Sequence, residues 1–309
     1  MNIVDYLSDL ILMDRRELLK FSSTSPYRYK VYEIPKRNSN GKRTIAQPSK
    51  ELKYIQRALL KIFDGVIPIH GSVFSYKKGI SIKDNAYCHV NYKYLLKMDF
   101  KDFFPSITPI ILFNELEKHN LYLSDDDKKL LRGLLFWKKN RKSNLLQLSI
   151  GAPTSPFISN FILYSFDKSI SDICLEKNVV YSRYADDITF SSNVKNILFE
   201  FPKIVSDLLY KLYNDNIKIN KDKTVFSSRA HNRHVTGVTL SNNGLLSIGR
   251  EKKRKLSSCF HYYITGKLDK IEIDKLKGEL AFAFYIEPDF KNRLMRKYGK
   301  EALKKLTRE

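Results

Sequence analysis

Residues 179–192 read VVYSRYADDITFSS. On both sides of the acidic pair Asp186–Asp187 the residues are mostly β-branched or aromatic, which predicts two short strands joined by a tight turn. Adjacent carboxylates at such a turn repel, and each pushes the other toward protonation. A lone Asp-Asp dipeptide is more often a solvated turn. The balance changes with an earlier stretch, YLLKMDF at 94–100, a short apolar strand ending in an acid. A divalent cation removes the repulsion, and Mg²⁺ takes hard oxygen ligands while keeping places for water and phosphate oxygens. Asp99 is then the natural third ligand beside Asp186 and Asp187. Two ions held by such a cluster can activate an attacking hydroxyl and stabilise a departing pyrophosphate.

The rest of the composition agrees with a polyanion partner. The chain has 309 residues, with 55 Lys+Arg against 33 Asp+Glu, a net charge of +22. So strong a bias favours nucleic acid, whereas a surface tuned for solubility needs far less. With 43% hydrophobic residues the chain is globular and long enough for two or three packed subdomains. The three cysteines, Cys88, Cys174 and Cys259, are scattered, which excludes a disulfide framework and a CxxC zinc site and points to a reducing compartment. The first residues contain acids and no cleavable apolar stretch, so no signal peptide is expected. The longest uncharged run, Ser143 to Phe166, carries a glycine, two prolines and several amides and hydroxyls, and is not a membrane span. No membrane partner is expected, and the location is expected to be the cytoplasm.

Working outward, residues 1–25 read as helical, and YRYKVYEI (27–34) and RTIAQP (43–48) as strands around the turn PKRNSNGKR. Ser49 starts a helix with Leu52, Ile55, Leu59 and Ile62 on one side. Residues 106–138 read as mainly helical, 155–177 as a helix, 197–213 as an amphipathic helix and IKINKDKTVFSS (217–228) as a strand. HVTGVTLSNNGLLSIG (234–249) reads as a hairpin turning at Asn242–Gly244. Residues 250–309 lose the strand pattern and hold 17 Lys+Arg against 9 Asp+Glu, a net of +8. They read as a helical subdomain with a basic face, or more plainly as a solvated helical bundle.

Several stretches resemble reverse transcriptases. YADDITFSS resembles their catalytic hairpin, MDFKDFFPSI (98–107) their first metal-binding motif, and GAPTSP (151–156) the loop leading into the helix under the nascent base pair. IKINKDKT (217–224) looks like their lysine-bearing motif and GVTLSNNG (237–244) like their primer-grip hairpin, all in family order over roughly residues 28–250. NAYCH (85–89) resembles the NAxxH motif, and Val235-Thr236-Gly237 the VTG motif, of retron reverse transcriptases in particular. The resemblance implies an α+β right-hand polymerase with fingers, a palm built on an antiparallel sheet and a C-terminal helical thumb. The implied divisions are residues 1–93 for the N-terminal helices and fingers, 94–249 for the palm with inserted fingers helices at about 106–150, and 250–309 for the basic thumb.

Residue roles carry over from the resemblance. Asp99, Asp186 and Asp187 would be catalytic and ligate two Mg²⁺ ions, with the Phe100 carbonyl as a backbone ligand. Asp102 and Phe103 would line the triphosphate site through backbone amides, and Phe104, five residues after Asp99, would be the steric gate against a 2′-OH. Either Phe103 or Phe104 is expected to pack into the core. Arg43 would bind triphosphate, its planar fork suiting phosphate oxygens, with Lys36 a weaker candidate. Lys223 would assist the leaving pyrophosphate. Gly151, Pro153 and Tyr184 would meet primer and template, and the uncharged run 143–166 would face bases and the primer minor groove. Where the family has LPQG this chain has Leu148-Ser149-Ile150-Gly151, so a glutamine beside the incoming nucleotide is replaced by Ile150.

The same resemblance implies an RNA-directed DNA polymerase that copies part of its cognate non-coding RNA. It would prime from a guanosine 2′-OH to give branched msDNA, within an antiphage system containing an effector toxin. Asn85, His89, Val235, Thr236, Gly237, Arg250 and Arg254 would meet the cognate RNA, with Lys252, Lys253 and Lys255 as further candidates. About 60 residues follow the primer-grip hairpin, too few for a ribonuclease H domain, so a host ribonuclease H would remove the template. The competing readings are a diversity-generating or abortive-infection reverse transcriptase, and an RNA-binding antitoxin scaffold with a vestigial polymerase.

Overall fold

The computed structural model describes residues 2–36, 41–140 and 142–308. The centre of the expected turn, residues 37–40, lies outside them. Helices α1 (Ile3–Ile11) and α2 (Arg15–Thr24) precede a hairpin of β1 (Tyr29–Pro35) and β2 (Lys42–Pro48), paired from Tyr29↔Pro48 to Pro35↔Lys42. Helix α3 (Lys50–Phe63) starts at Ser49, whose hydroxyl accepts the Leu52 N–H, an N-cap worth about 1 kcal/mol. Its expected face is buried: Leu52, Ile55 and Leu59 lie in the core. Then come α4 (Ile82–Tyr87), β3 (Tyr94–Asp99), α5 (Phe103–Ser106), α6 (Pro109–Lys118), α7 (Asp125–Leu135), and the short strands β4 (Phe136–Trp137) and β5 (Gln147–Leu148).

The expected helix over 155–177 is two, α8 (Ser155–Ile162) and α9 (Tyr164–Glu176), with Leu163 between them. β6 (Val180–Tyr184) and β7 (Asp187–Ser192) follow as the sequence predicts. The helical reading of 197–213 resolves into a 3-10 turn, Ile197–Glu200, and α10 (Phe201–Tyr213), which begins at the point where Pro202 fits the first helical turn. The strand expected over 217–228 is shorter. A 3-10 turn occupies Lys221–Lys223, and only β8 (Val225–Ser228) joins the sheet.

The single hairpin expected over 234–249 is a three-stranded sheet of β9 (Arg233–Val235), β10 (Val238–Leu240) and β11 (Leu246–Ser247), with β10 central. The missed turn is Thr236–Gly237, between paired Val235 and Val238. Both turn residues have positive φ, 47° and 81°, as a two-residue type I′ turn requires. Helices α11 (Arg250–Ile264), α12 (Lys270–Ile286), α13 (Pro288–Tyr298) and α14 (Lys300–Arg308) complete the chain.

The main sheet has the order β6-β7-β3-β8, antiparallel throughout. This order places the C-terminal end of β3 against the N-terminal end of β7. One hydrophobic core joins this sheet to helices α1, α3 and α6–α10. A second core joins Ala86 and Val90, the strands β9 and β10, and the C-terminal helices through Leu256, Phe260, Leu280 and Phe290. The C-terminal helices therefore share their interior with α4 and the small sheet, and no core boundary falls at residue 250. Burial also explains the uncharged run 143–166. Leu146, Leu148, Ser149, Ile158, Asn160, Phe161 and Phe166 are interior, so most of the run faces protein and not nucleic acid.

Candidate active site

The sheet register makes Asp99 and Asp187 cross-strand partners. The Phe100 N–H donates to the Asp186 carbonyl at 3.1 Å, and the Asn220 N–H donates to the Asp99 carbonyl at 2.7 Å. Three segments distant in sequence thus meet at one end of the sheet's central strands, and Lys223 comes with the third. Its Nζ lies 3.0 Å from Asp99 Oδ2. Burial pushes the Asp99 carboxyl up, Lys223 pulls it back and Asp186 pushes it up again. Solvent reaches Asp187, but crowding by protein, then the charges of Asp186 and Asp99, push its carboxyl up to about 6.

Asp99 and Asp187 stand opposite each other on paired strands. Hard carboxylate oxygens brought together against their own repulsion suit a divalent cation, which would relieve it. Among the described residues no three His, Cys, Asp or Glu side chains already converge in a metal-holding arrangement. In this conformation Lys223 supplies the neutralising charge, and the carboxylates would reorient around an ion.

The turn between β6 and β7 is held from behind. Ala185 has φ 56°, a left-handed conformation that costs a residue with a Cβ about 1–2 kcal/mol. Its N–H donates to Ser75 Oγ at 2.8 Å and its carbonyl accepts from Arg183 Nη1 at 3.1 Å. Arg183 is fully buried and grips Asp167 with three contacts, Nε–Oδ1 at 2.9 Å, Nε–Oδ2 at 3.2 Å and Nη2–Oδ2 at 2.6 Å, while Nη1 donates to Asn160 Oδ1 at 3.1 Å. Tyr181 completes the set, its hydroxyl donating to Asp167 at 2.7 Å. The sequence reading missed Ser75, Asn160, Asp167 and Arg183. The available signal was a single Arg at an inward position of β6 and a single Asp on the apolar side of α9.

Of the paired phenylalanines, Phe103 is the one in the core, stacked on Phe100 at 5.2 Å between ring centroids. Phe104 is only partly buried and keeps an open side. Asp102 is exposed with φ 44°, and Tyr184 is the register partner of Asp187. Arg43 and Lys36 are exposed on or next to the β1–β2 hairpin. Pro153 is half-buried and Gly151 exposed, with φ 130°. A Cβ on Gly151 would come within 3.1 Å of the Ala46 carbonyl, so its close approach is to β2. The Ile150 carbonyl accepts the Ala46 N–H at 3.0 Å, so the residue in the glutamine position ties this loop to the hairpin.

The residues expected to meet RNA divide sharply. His89 is wholly buried, its two ring nitrogens each 2.7 Å from a serine hydroxyl, Ser191 and Ser182. Burial pushes it down to about 3, so it is neutral. Asn85 and Val235 are also buried. Direct RNA contact by these three side chains is therefore corrected: they are interior. Thr236 is half-buried and Gly237 exposed at the tip of the β9–β10 turn. On α11, Arg250, Arg254 and Lys255 are exposed, Lys252 lies over the Phe282 ring at 4.4 Å, and Lys253 pairs with Glu287 at 2.9 Å.

Residues 34–240 match the reverse transcriptase (RNA-dependent DNA polymerase) family, the class that this fold and carboxylate arrangement define. Retron Ec83 reverse transcriptase of Escherichia coli is 46% identical over 279 residues, covering 90% of this chain and 89% of the relative. Retron Ec86 reverse transcriptase of the same species is 32% identical over 296 residues, covering 91% and 86%. The chain belongs to the reverse transcriptase family, among the retron reverse transcriptases, and is an RNA-directed DNA polymerase. The fold is also that of telomerase from Candida albicans, solved with a fragment of telomeric RNA. That structure has a TM-score of 0.50 and 12% identity, covering 87% of this chain and 56% of that one. Enzymes of this family use divalent metal ions and an RNA template. No helix among the described residues is long and apolar enough to cross a membrane.

Proposed function

We propose that this enzyme copies part of its own non-coding RNA, starting from the 2′-OH of a guanosine in that RNA, and so makes branched msDNA. The observation that carries the site assignment is the pairing of Asp99 with Asp187 beside the Phe100–Asp186 backbone bond. In this reading Asp99, Asp186 and Asp187, with the Phe100 carbonyl, hold two Mg²⁺ ions, which supply charge stabilisation for the attacking hydroxyl and the leaving pyrophosphate. Lys223 sits against Asp99 and is placed to hold a proton near the departing phosphate. Arg43 and the backbone of Asp102 and Phe103 bind triphosphate, Phe104 excludes the ribose 2′-OH, and Gly151, Pro153 and Tyr184 border the primer–template.

Residues 1–93 act as fingers, 94–249 as palm with the insertion at about 106–150, and 250–309 as thumb. The Thr236–Gly237 turn, with Gly237 exposed at its tip, and the exposed Arg250 and Arg254 meet the cognate RNA, whose shape and 2′-OH groups distinguish it from other RNA. A host ribonuclease H removes the copied template, and the branched product restrains an effector toxin in a cytoplasmic antiphage system. Retron relatives over nine-tenths of the chain support this reading. The test is the double variant Asp186→Asn, Asp187→Asn. It is expected to abolish Mg²⁺-dependent extension of a primer on RNA while RNA binding persists. Extension at near wild-type rate by that variant would refute the site.

A further inference from the structure

Backbone strain in this molecule has an unusual occupant next to the hairpin turn. Among the described non-glycine residues with positive φ, four are asparagines, which tolerate that region, and Tyr76 at φ 57° is the one aromatic. Glycine or asparagine would serve a plain turn better. The ring is 52% exposed, so core packing does not account for it.

The position of Tyr76 is fixed by its neighbours. The Phe74 N–H donates to the Arg183 carbonyl at 2.8 Å, and the Asn160 amide donates to the Ser75 carbonyl at 2.9 Å. Ser75 Oγ holds the Ala185 N–H, one residue before Asp186. The chain entering Tyr76 is therefore bolted to the strand that carries the carboxylates. Burial, then the charges of Asp186 and Tyr184, push the Tyr76 phenol up, and Arg43 pulls it down. Lys77 and Lys78 follow directly, and Lys78 is exposed. An exposed ring beside cations is the arrangement on which nucleobases stack while their phosphates are neutralised.

We propose that the Tyr76 ring is a stacking platform for a nucleobase of the nascent base pair, a substrate-positioning element of the polymerase site whose strained backbone is retained for that contact. The proposal rests on the reading that the nucleotide lies between Arg43 and Asp186.

The test compares wild type, Tyr76→Gly, Tyr76→Phe and Arg43→Ala in extension of a DNA primer on a generic RNA template, with kcat, KM for dNTP and melting temperature measured for each. Loss of one base-stacking contact predicts a KM about tenfold higher in Tyr76→Gly, with kcat changed much less. Its melting temperature should be unchanged or higher, because glycine accepts positive φ freely. Tyr76→Phe should keep wild-type KM. A KM within twofold of wild type in Tyr76→Gly, a melting temperature lowered by several degrees, or equal impairment in Tyr76→Phe would each overturn the platform. An unchanged KM in Arg43→Ala would overturn the placement of the nucleotide itself, and the platform with it.

Discussion

Asn85 and Thr236 are joined across 151 residues of sequence, the Asn85 amide lying 3.5 Å from the Thr236 hydroxyl. The hydroxyl in turn donates to the Ile82 carbonyl at 3.4 Å. The NAxxH and VTG segments are thus one structural unit, with α4 buttressing the turn between β9 and β10. Asn85→Ala is expected to cost about 1 kcal/mol of stability, the usual net worth of a buried hydrogen bond. It should also lower branched-DNA yield from the cognate RNA more than extension on a generic primed template. Measuring both activities in one preparation checks this, and an equal fall in the two would contradict it.

Phe104 and Phe103 should respond oppositely to truncation. Phe104→Ala is expected to raise rNTP incorporation relative to dNTP with little loss of stability, because the ring is only partly buried. Phe103→Ala should destabilise by about 3–5 kcal/mol, since it empties a fully packed site. Incorporation ratios and denaturant midpoints on the two variants distinguish a gate from a core residue.

Arg183 supplies a third prediction. Arg183→Met leaves Asp167 buried without its cation, at an expected cost of about 3–5 kcal/mol. Replacing Asp167 as well, in Arg183→Met with Asp167→Leu, should recover most of that stability. Activity should stay low in the double variant, because the Ala185 carbonyl has lost its donor. Full recovery of activity would show that the network does not set the turn.

His89 gives a pH dependence with a definite sign. Its folded pKa is pushed down to about 3 from 6.5, so between those values the unfolded chain binds the proton and acid favours unfolding. The contribution is complete above pH 6.5 and is lost as pH falls toward 3. At pH 5 the loss is about 2 kcal/mol relative to pH 7.5. Thermal melts of wild type and His89→Gln at the two pH values check it: the variant should lose less stability than wild type on acidification.

Much of this was legible in the sequence. Alternation and the acidic pair located β6, β7 and the end of β3, and periodicity located α3. Residues with a strict local signature, such as Ser49 before its helix, were also readable. The overestimated strand at 217–228 failed because Lys221–Lys223 forms a 3-10 turn, closed by the Lys223 N–H donating to the Asn220 carbonyl and the Thr224 N–H to the Lys221 carbonyl, while the Asn220 N–H is held by the Asp99 carbonyl. The Thr236–Gly237 turn was hidden because a threonine with positive φ has no sequence signature. His89 is expected to meet RNA only through its motif's resemblance, whereas two serines on neighbouring strands satisfy it inside. Arg183 and Asp167 looked like ordinary charges, since their burial follows only from the packing of α9 on β6.

The hairpin of β1 and β2 is fastened only near its base among the bonds described above and one more, the Ser49 N–H to the Arg28 carbonyl at 2.8 Å. Among the hairpin's described residues, 31–36 and 41–43 are exposed. It is a cantilever, clamped where Ala46 meets Ile150, with Arg43 three residues beyond the clamp. The clamp has little slack, since a Cβ on Gly151 would come within 3.1 Å of the Ala46 carbonyl. The hairpin and the 149–152 loop therefore share one joint, and a bulkier residue at position 151 would press on it from the loop side.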